Sequence, residues 1–117
     1  MGLSIDGVTK WSYGAFGAWR HQLAIHEGIP YGEMDGFGGT RSWSEVDSVL
    51  KPLLNHADDS GELTFEECAQ MHTYLREVVD KLWPSWQYDG LGERQRGLEL
   101  ADAMKKAAEG GWSLEFR

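Results

Sequence analysis

The feature that most constrains the fold is an uninterrupted helical pattern in the second half of the chain. Thr64 is followed three residues later by Glu67, which is the spacing of a capping box at the start of a helix. Apolar residues then recur every three or four positions, as on the buried face of a helix, at Phe65, Cys68, Met71, Leu75, Val78, Val79 and Leu82. Pro84 ends the pattern, because proline lacks the amide donor that a helix interior requires. The sequence therefore predicts a helix from Thr64 to just before Pro84 that covers a hydrophobic core.

Three further helices are predicted from the same spacing of apolar residues. The first covers about residues 12–27, and the second covers roughly residues 43–55. Pro52 lies inside the second helix, so a kink or an early end is predicted there. The fourth follows Gly92 and closes at Gly110, since glycine is the residue preferred at the end of a helix.

The two ends of the chain alternate apolar and polar residues, which is the period of a half-buried strand. Leu3 and Ile5 alternate near the start, and Leu114 and Phe116 alternate near the end, so these four residues are predicted to pair in a short sheet. Residues 30–41 contain four glycines and follow neither period, which predicts a long loop. The predicted fold is mainly α: a compact four-helix domain with a small two-stranded sheet formed by the N- and C-terminal segments. Residues 1–117 are expected to form a single domain.

Charge and composition narrow the possible functions. Nineteen acidic residues against eleven basic ones give a net charge of −8, which disfavours binding to nucleic acid or to an anionic membrane. No apolar run approaches the roughly 18 residues of a membrane span, and no secretory signal is seen. Cys68 is the single cysteine, so no internal disulfide can form, and a cytoplasmic protein is expected. Motifs for nucleophilic, phosphate-binding and zinc-dependent catalysis are absent, so no enzymatic activity and no catalytic residue are predicted.

The segment between the second and third predicted helices contains the candidate metal ligands, which are His56, Asp58, Ser60, Glu62, Thr64 and Glu67. This segment, residues 56–67, resembles the twelve-residue calcium loop of an EF-hand, and with its flanking helices the resemblance extends over residues 43–82. In an EF-hand, side chains at positions 1, 3, 5 and 12 of the loop bind calcium. The backbone carbonyl of position 7 also binds the ion, and a glycine at position 6 makes the sharp turn. The resemblance implies the carbonyl ligand at Glu62, the two-oxygen ligand at Glu67 and the turn at Gly61.

The first position of this loop is His56, where an EF-hand has aspartate. A neutral imidazole is a poor ligand for calcium, a hard cation that prefers oxygen, so we expect calcium binding weaker than about 10⁻⁴ M. Imidazole beside Asp58 and Glu67 suits zinc, manganese or nickel better, which makes a transition-metal site a second hypothesis. A third is that residues 56–67 are a metal-free connection between two antiparallel helices, because aspartate, serine and glycine are ordinary turn residues and Thr64 is explained as a helix cap.

The whole chain also resembles small uncharacterised proteins of high-GC bacteria. Those proteins combine an amphipathic first helix with a glycine-rich loop like residues 34–39, a segment like residues 56–64 and an end like residues 114–116. The resemblance implies no activity, but it implies that a histidine at the first loop position is shared by the group. His56 would then serve a purpose other than calcium sensing, such as capping carbonyls at the end of the second helix.

The aromatic residues make up 12% of the chain, which is more than a small core buries completely. Two groups are predicted to form an interaction surface: Tyr31, Met34 and Phe37 in the glycine-rich loop, and Trp83, Trp86 and Tyr88 around Pro84. The alternative is that these side chains cover the ends of the helices.

Together these patterns predict a non-enzymatic, small acidic protein-interaction or regulatory module. One alternative is metal binding through the EF-hand-like loop, with calcium or zinc as the ion and no other cofactor expected. Another is an acidic inhibitor that occludes a basic surface of its partner. In each case except the metal site, the expected partner is an unidentified protein with a basic surface, and neither nucleic acid nor membrane is expected.

Overall fold

The four helices of this protein follow the order predicted from the sequence, but the second is much shorter than predicted, and two short strands, at residues 11–12 and 62–63, were not predicted. The computed structural model describes residues 2–5, 7–8, 10–56, 61–86 and 92–116. The elements are β1 (Gly2–Leu3), β2 (Trp11–Ser12), α1 (Tyr13–His26), α2 (Lys51–Leu54), β3 (Glu62–Leu63), α3 (Phe65–Leu82), α4 (Glu93–Gly110) and β4 (Leu114–Glu115). The predicted fold class is confirmed: the protein is mainly α, with four helices and short antiparallel strand pairs in its described part.

The helix predicted from the capping box is α3. Thr64 Oγ1 accepts from the Glu67 amide at 3.2 Å, and Glu67 Oε1 accepts from the Thr64 amide at 2.9 Å. The buried face of α3 packs on α4 in the largest contact between two elements, through Cys68, Met71, Leu75, Val78 and Val79. The facing side of α4 is rich in glycine and alanine, which lets the two helix axes approach closely. No described helix is both long and apolar enough to cross a membrane.

The first helix, α1, is attached to this pair through aromatic side chains. The Ser12 hydroxyl accepts from the Ala15 amide at 3.1 Å and thereby caps the start of the helix. Phe16, Trp19 and Leu23 are buried on one face, as their spacing predicts. Trp11, just before the helix, packs with ring centroids 5.0 Å from Phe16 and 4.9 Å from Trp19. The core therefore contains an aromatic cluster on the side where α1 meets α3 and α4.

The strands pair in two small antiparallel sheets. In the first, β1 pairs with β2 and places Leu3 opposite Trp11. In the second, β3 pairs with β4 and places Leu63 opposite Leu114. The predicted contact between the two ends of the chain is present as an antiparallel bridge between Ile5 and Phe116. Leu3 and Leu114, which were predicted to belong to one sheet, pair instead with Trp11 and Leu63 in two separate sheets.

The prediction of a continuous second helix over residues 43–55 is wrong. The chain instead forms a single 3-10 turn at Trp43–Glu45, becomes extended at Val46, and makes the short helix α2. Ser48 interrupts the helix because its hydroxyl donates to Glu27 Oε1 at 2.6 Å and accepts from the Leu50 amide at 3.1 Å. Pro52 then lies in the first turn of α2, where its missing amide hydrogen breaks no helical bond.

Candidate functional site

The loop with the predicted metal ligands is closed by His56. Its Nε2 lies 3.0 Å from the carbonyl oxygen of Glu62. A carbonyl oxygen can only accept, so Nε2 must hold the proton and donate. In this arrangement the imidazole nitrogen and the carbonyl that the EF-hand resemblance assigns to a metal satisfy each other. Asp58 and Ser60 lie outside the described residues.

The second half of the same loop is held by the C-terminal strand. Gly61 has φ +90°, a left-handed conformation that favours glycine, and its carbonyl accepts from the Phe116 amide at 2.9 Å. The Phe116 ring packs on the imidazole of His56 with centroids 4.2 Å apart. Leu63 pairs with Leu114 of β4. Residues 61–63 are consequently tied to the C-terminal segment by backbone hydrogen bonds, and the Leu63 side chain is buried in the core.

The remaining predicted ligands, Thr64 and Glu67, are paired with each other in the capping box of α3. The Glu62 side chain is exposed, and only its backbone takes part in the contacts described above. Within the described residues no three His, Cys, Asp or Glu side chains are grouped closely enough to hold a metal ion. The geometry of this part of the loop is thus explained by backbone pairing and helix capping.

Thr64→Ala tests the capping function of this position. The change removes the oxygen that satisfies the Glu67 amide, and we expect a loss of about 1 kcal/mol in the free energy of unfolding. The loss should be the same in calcium and in chelator, as measured by urea denaturation. Thr73→Ala, on the exposed side of the same helix, is the matched control and should change stability by less than about 0.5 kcal/mol. A loss seen in calcium alone would instead identify Thr64 as part of a metal site.

Arg20 is a structural residue that the sequence analysis did not single out. It is 3% exposed, and its Nη1 donates to the carbonyls of Leu53, at 3.2 Å, and of His56. These carbonyls lie at the end of α2, so Arg20 caps them, while the imidazole of His56 donates to the Glu62 carbonyl. Its guanidinium also lies over the Phe16 ring, 4.6 Å from the centroid. A signal was present in the sequence, because Arg20 is four residues from Phe16 and three from Leu23, on the buried face of α1.

The first predicted interaction group lies in the interior of the protein. Tyr31 is 7% exposed and Met34 is 1% exposed. The Tyr31 hydroxyl donates to the Leu54 carbonyl at 2.8 Å, and its ring stacks on Phe37 with centroids 4.5 Å apart. Phe37 is partly buried against the core, and Trp43 packs against both rings. These side chains anchor the glycine-rich loop, as the alternative of covering helix ends implies.

The second predicted interaction group divides into a buried and an exposed tryptophan. Trp83 is 5% exposed and stacks on Trp19 with centroids 6.0 Å apart and ring planes 12° apart. Trp86 is 82% exposed, the highest value among the large apolar side chains of the described residues. Tyr88 lies outside the described residues. Of the predicted interaction residues that can be placed, Trp86 is therefore the one whose ring is presented to solvent.

A cleft of about 490 Å³ lies beside this tryptophan stack, between α1, the end of α3 and the start of α4. Trp11, Trp19 and Trp83 line it together with Arg96 and the small residues Ala15 and Ala18. Two buried nitrogen atoms of lining residues, Trp19 Nε1 and Arg96 Nε, have no hydrogen-bond partner among the described residues. The sequence analysis did not predict this cleft, because its walls come from three segments that are distant along the chain.

A cluster of polar side chains around Glu27 joins the end of α1 to α3. The Glu27 carboxylate accepts from the Tyr74 hydroxyl and from the Ser48 hydroxyl, each at 2.6 Å. His26 Nε2 lies 3.8 Å from the same carboxylate. The hydrogen bond to Glu27, together with burial and the nearby negative charges, raises the pKa of Tyr74 to about 12. The cluster therefore favours the neutral phenol in the folded state.

The raised pKa of Tyr74 predicts a loss of stability at alkaline pH. Because the folded-state pKa exceeds the ordinary value of about 10, the contribution of Tyr74 is complete below about pH 10 and declines as the pH rises toward about 12. Tyr74→Phe should lower stability at neutral pH by about 1–2 kcal/mol and flatten this alkaline decline. Urea midpoints measured between about pH 8 and 11 check the prediction. An equally steep decline in the variant would show that another group is responsible.

Cys68 is buried, and burial followed by the charge of Glu67 raises the pKa of its thiol to about 11. A protonated, enclosed thiol is unreactive as a nucleophile.

Comparison of the chain with protein-family models, with curated proteins and with solved structures found no match.

Proposed function

We propose that this protein is a non-enzymatic interaction module that binds a protein partner through the surface around Trp86. The observation that supports the proposal most directly is the 82% exposure of the Trp86 ring. An exposed tryptophan ring offers a large apolar surface that can be buried at an interface, and tryptophan is enriched among the residues that dominate binding energy. Trp83, the other aromatic side chain in the described residues 83–86, is already used in the core.

The partner that suits this surface is a protein with a basic face. The net charge of −8 favours association with a positively charged surface and speeds encounter with it. An acidic inhibitor that covers a basic binding site is the special case in which this association blocks the partner's own activity. We also propose a cytoplasmic location, because a single free cysteine is typical of a reducing compartment.

A cross-linking and affinity-capture comparison of three forms of the protein tests this proposal. Wild type, Trp86→Ala and Trp112→Ala are compared, the last being the control because Trp112 is also exposed, at 53%. We expect a stoichiometric partner to be recovered by wild type and by Trp112→Ala and lost with Trp86→Ala. Its retention should weaken as salt is raised, since charge contributes to the association. Equal recovery of every partner by Trp86→Ala would contradict the proposal.

Metal binding through residues 56–67 is the second proposal. It is supported by the spacing of His56, Glu62, Thr64 and Glu67, which stand at positions 1, 7, 9 and 12 of an EF-hand-like loop. In the structure, His56 meets the Glu62 carbonyl and Thr64 meets Glu67. Binding would have to break the first of these contacts, so we expect calcium affinity weaker than about 10⁻⁴ M. Calorimetric titration with calcium and with zinc measures it. A Kd in the micromolar range for either ion would make the metal site the leading function.

A further inference from the structure

We propose that the cleft between α1 and the junction of α3 with α4 is a binding site for a small, flat aromatic carboxylate. This inference goes beyond the protein-interaction function, and it is independent of Trp86, which is not among the described residues that line the cleft. Three properties of the cleft support it: its size and aromatic walls, its unsatisfied donors, and the helix end that opens into it.

The size and the walls of the cleft suit a flat ring. Its volume of about 490 Å³ is within the range of roughly 300–1,000 Å³ that small-molecule sites occupy. Trp19 and Trp83 are nearly parallel, with ring planes 12° apart, and Trp11 is tilted against Trp19. Ala15 and Ala18 leave open space on the α1 side. An aromatic ligand can therefore pack against an indole ring and displace water from apolar surface.

Two lining residues carry buried N–H groups that no acceptor within the described part of the chain satisfies. They are Trp19 Nε1, on a side chain that is 1% exposed, and Arg96 Nε. Trp19 Cζ2, on the same edge of the indole as Nε1, would lie 3.3 Å from a Cβ on Gly97, the residue after Arg96. The Nε1 edge thus faces the helix that presents Arg96. A buried unsatisfied donor costs about 1–3 kcal/mol, a cost that a ligand acceptor removes.

The electrostatics of the cleft favour an anion. Arg96 contributes a positive charge, held in place by its Nη2 donating to the Lys10 carbonyl at 3.3 Å and by its position 5.9 Å above the Trp11 ring. The start of α4 also lines the cleft, and Gly92 at its cap supplies no side chain to satisfy the first amides. Glu93 is the acidic residue among the described lining side chains, and it is exposed. Indole, guanidinium and helix amides are all donors, so the ligand must supply acceptors, and a carboxylate supplies two oxygens with charge.

Binding of 2-naphthoate, compared with its neutral analogue 2-naphthamide, tests the proposal in the full-length protein. Calorimetry gives the affinity, and the indole N–H signals in a ¹H–¹⁵N NMR spectrum report the site. We expect saturable binding of 2-naphthoate, at least about tenfold weaker binding of the amide, and the largest indole shift at Trp19. Absence of saturable binding up to about 10 mM, or a largest shift at Trp112, would overturn the proposal.

Two pairs of variants separate site effects from folding effects. Arg96→Gln should weaken 2-naphthoate about tenfold and leave 2-naphthamide nearly unchanged, whereas Arg76→Gln, an exposed arginine on α3, should alter neither. Ala18→Trp fills the cleft from an exposed position of α1 and should abolish binding of both probes. Its control is Ala69→Trp, at an exposed position of α3, which should leave the binding of both probes unchanged. Unchanged binding by Ala18→Trp would show that the probe binds elsewhere and would overturn the proposal. Failure to capture a protein partner through Trp86 would contradict only the interaction function, because Trp86 is not among the described residues that line the cleft.

Discussion

Replacing Arg20 by leucine should reduce the free energy of unfolding by about 3 kcal/mol. The side chain is 3% exposed and donates to the carbonyls of Leu53 and His56 at the end of α2. Leucine fills much of the space but offers no donor, so two carbonyl oxygens at a helix end lose a charged partner. The change also removes the guanidinium from the faces of Phe16 and Phe37, where it lies 4.6 Å and 5.4 Å from the ring centroids.

Urea denaturation of Arg20→Leu, Arg20→Lys and Arg76→Leu measures this effect. Lysine keeps the charge but lacks the planar fork of donors, so Arg20→Lys should recover only part of the loss. Arg76 is exposed on α3, and its replacement should change stability by less than about 0.5 kcal/mol. If Arg20→Leu behaved like Arg76→Leu, the buried guanidinium would not be a significant source of stability.

Gly39→Ala should cost about 3 kcal/mol, the upper end of the range for overpacking a well-filled site. A Cβ at this position would lie 2.1 Å from the carbonyl oxygen of Glu33 and 2.5 Å from its Cα, both backbone atoms that no side-chain rotation can move aside. The same carbonyl accepts from the Arg41 amide at 2.9 Å, and the Gly39 amide donates to Met34 at 3.2 Å. An added methyl group must therefore push apart the two segments of the glycine-rich loop, residues 33–34 and residues 39–41.

Gly32→Ala is the matched control for this substitution in the same loop. No heavy atom lies within 4 Å of a Cβ built at Gly32, so the change should leave stability within about 1 kcal/mol of wild type. Thermal unfolding gives the cost, and near-UV circular dichroism reports whether the packing of Tyr31 and Trp43 above the loop is lost. Similar melting temperatures for the two variants would show that the loop accommodates the methyl group.

The third helix shows which structural features are determined by short-range sequence patterns. Its start depends on Thr64 and Glu67, and its inward face depends on a spacing of three or four residues, so all the determining contacts lie within one or two helical turns. The end of α4 at Gly110, with Gly111 in the left-handed conformation, is equally local. Patterns of this kind were sufficient to predict the mainly α fold.

The second predicted helix shows where such patterns stop. Its residues have a helical spacing, yet the hydrogen bond from Ser48 to Glu27, 21 positions away, and the place of Pro52 in a first turn give a shorter element. The candidate site behaves similarly. Trp86 was predicted as an interaction residue and is exposed, whereas Tyr31, Met34 and Trp83, chosen for the same composition, are buried. Composition does not specify which aromatic ring finds space in the core.

The sequence by itself determined the long helices and the inward faces of α1 and α3, because these depend on residues separated by a few positions. The tertiary structure alone decided that Leu63 pairs with Leu114, that Arg20 caps α2, and that Trp11 and Trp19 line a cleft together with Trp83. Each of these contacts joins segments far apart along the chain. Their formation depends on which surfaces meet when the helices pack, and no short-range period records that information.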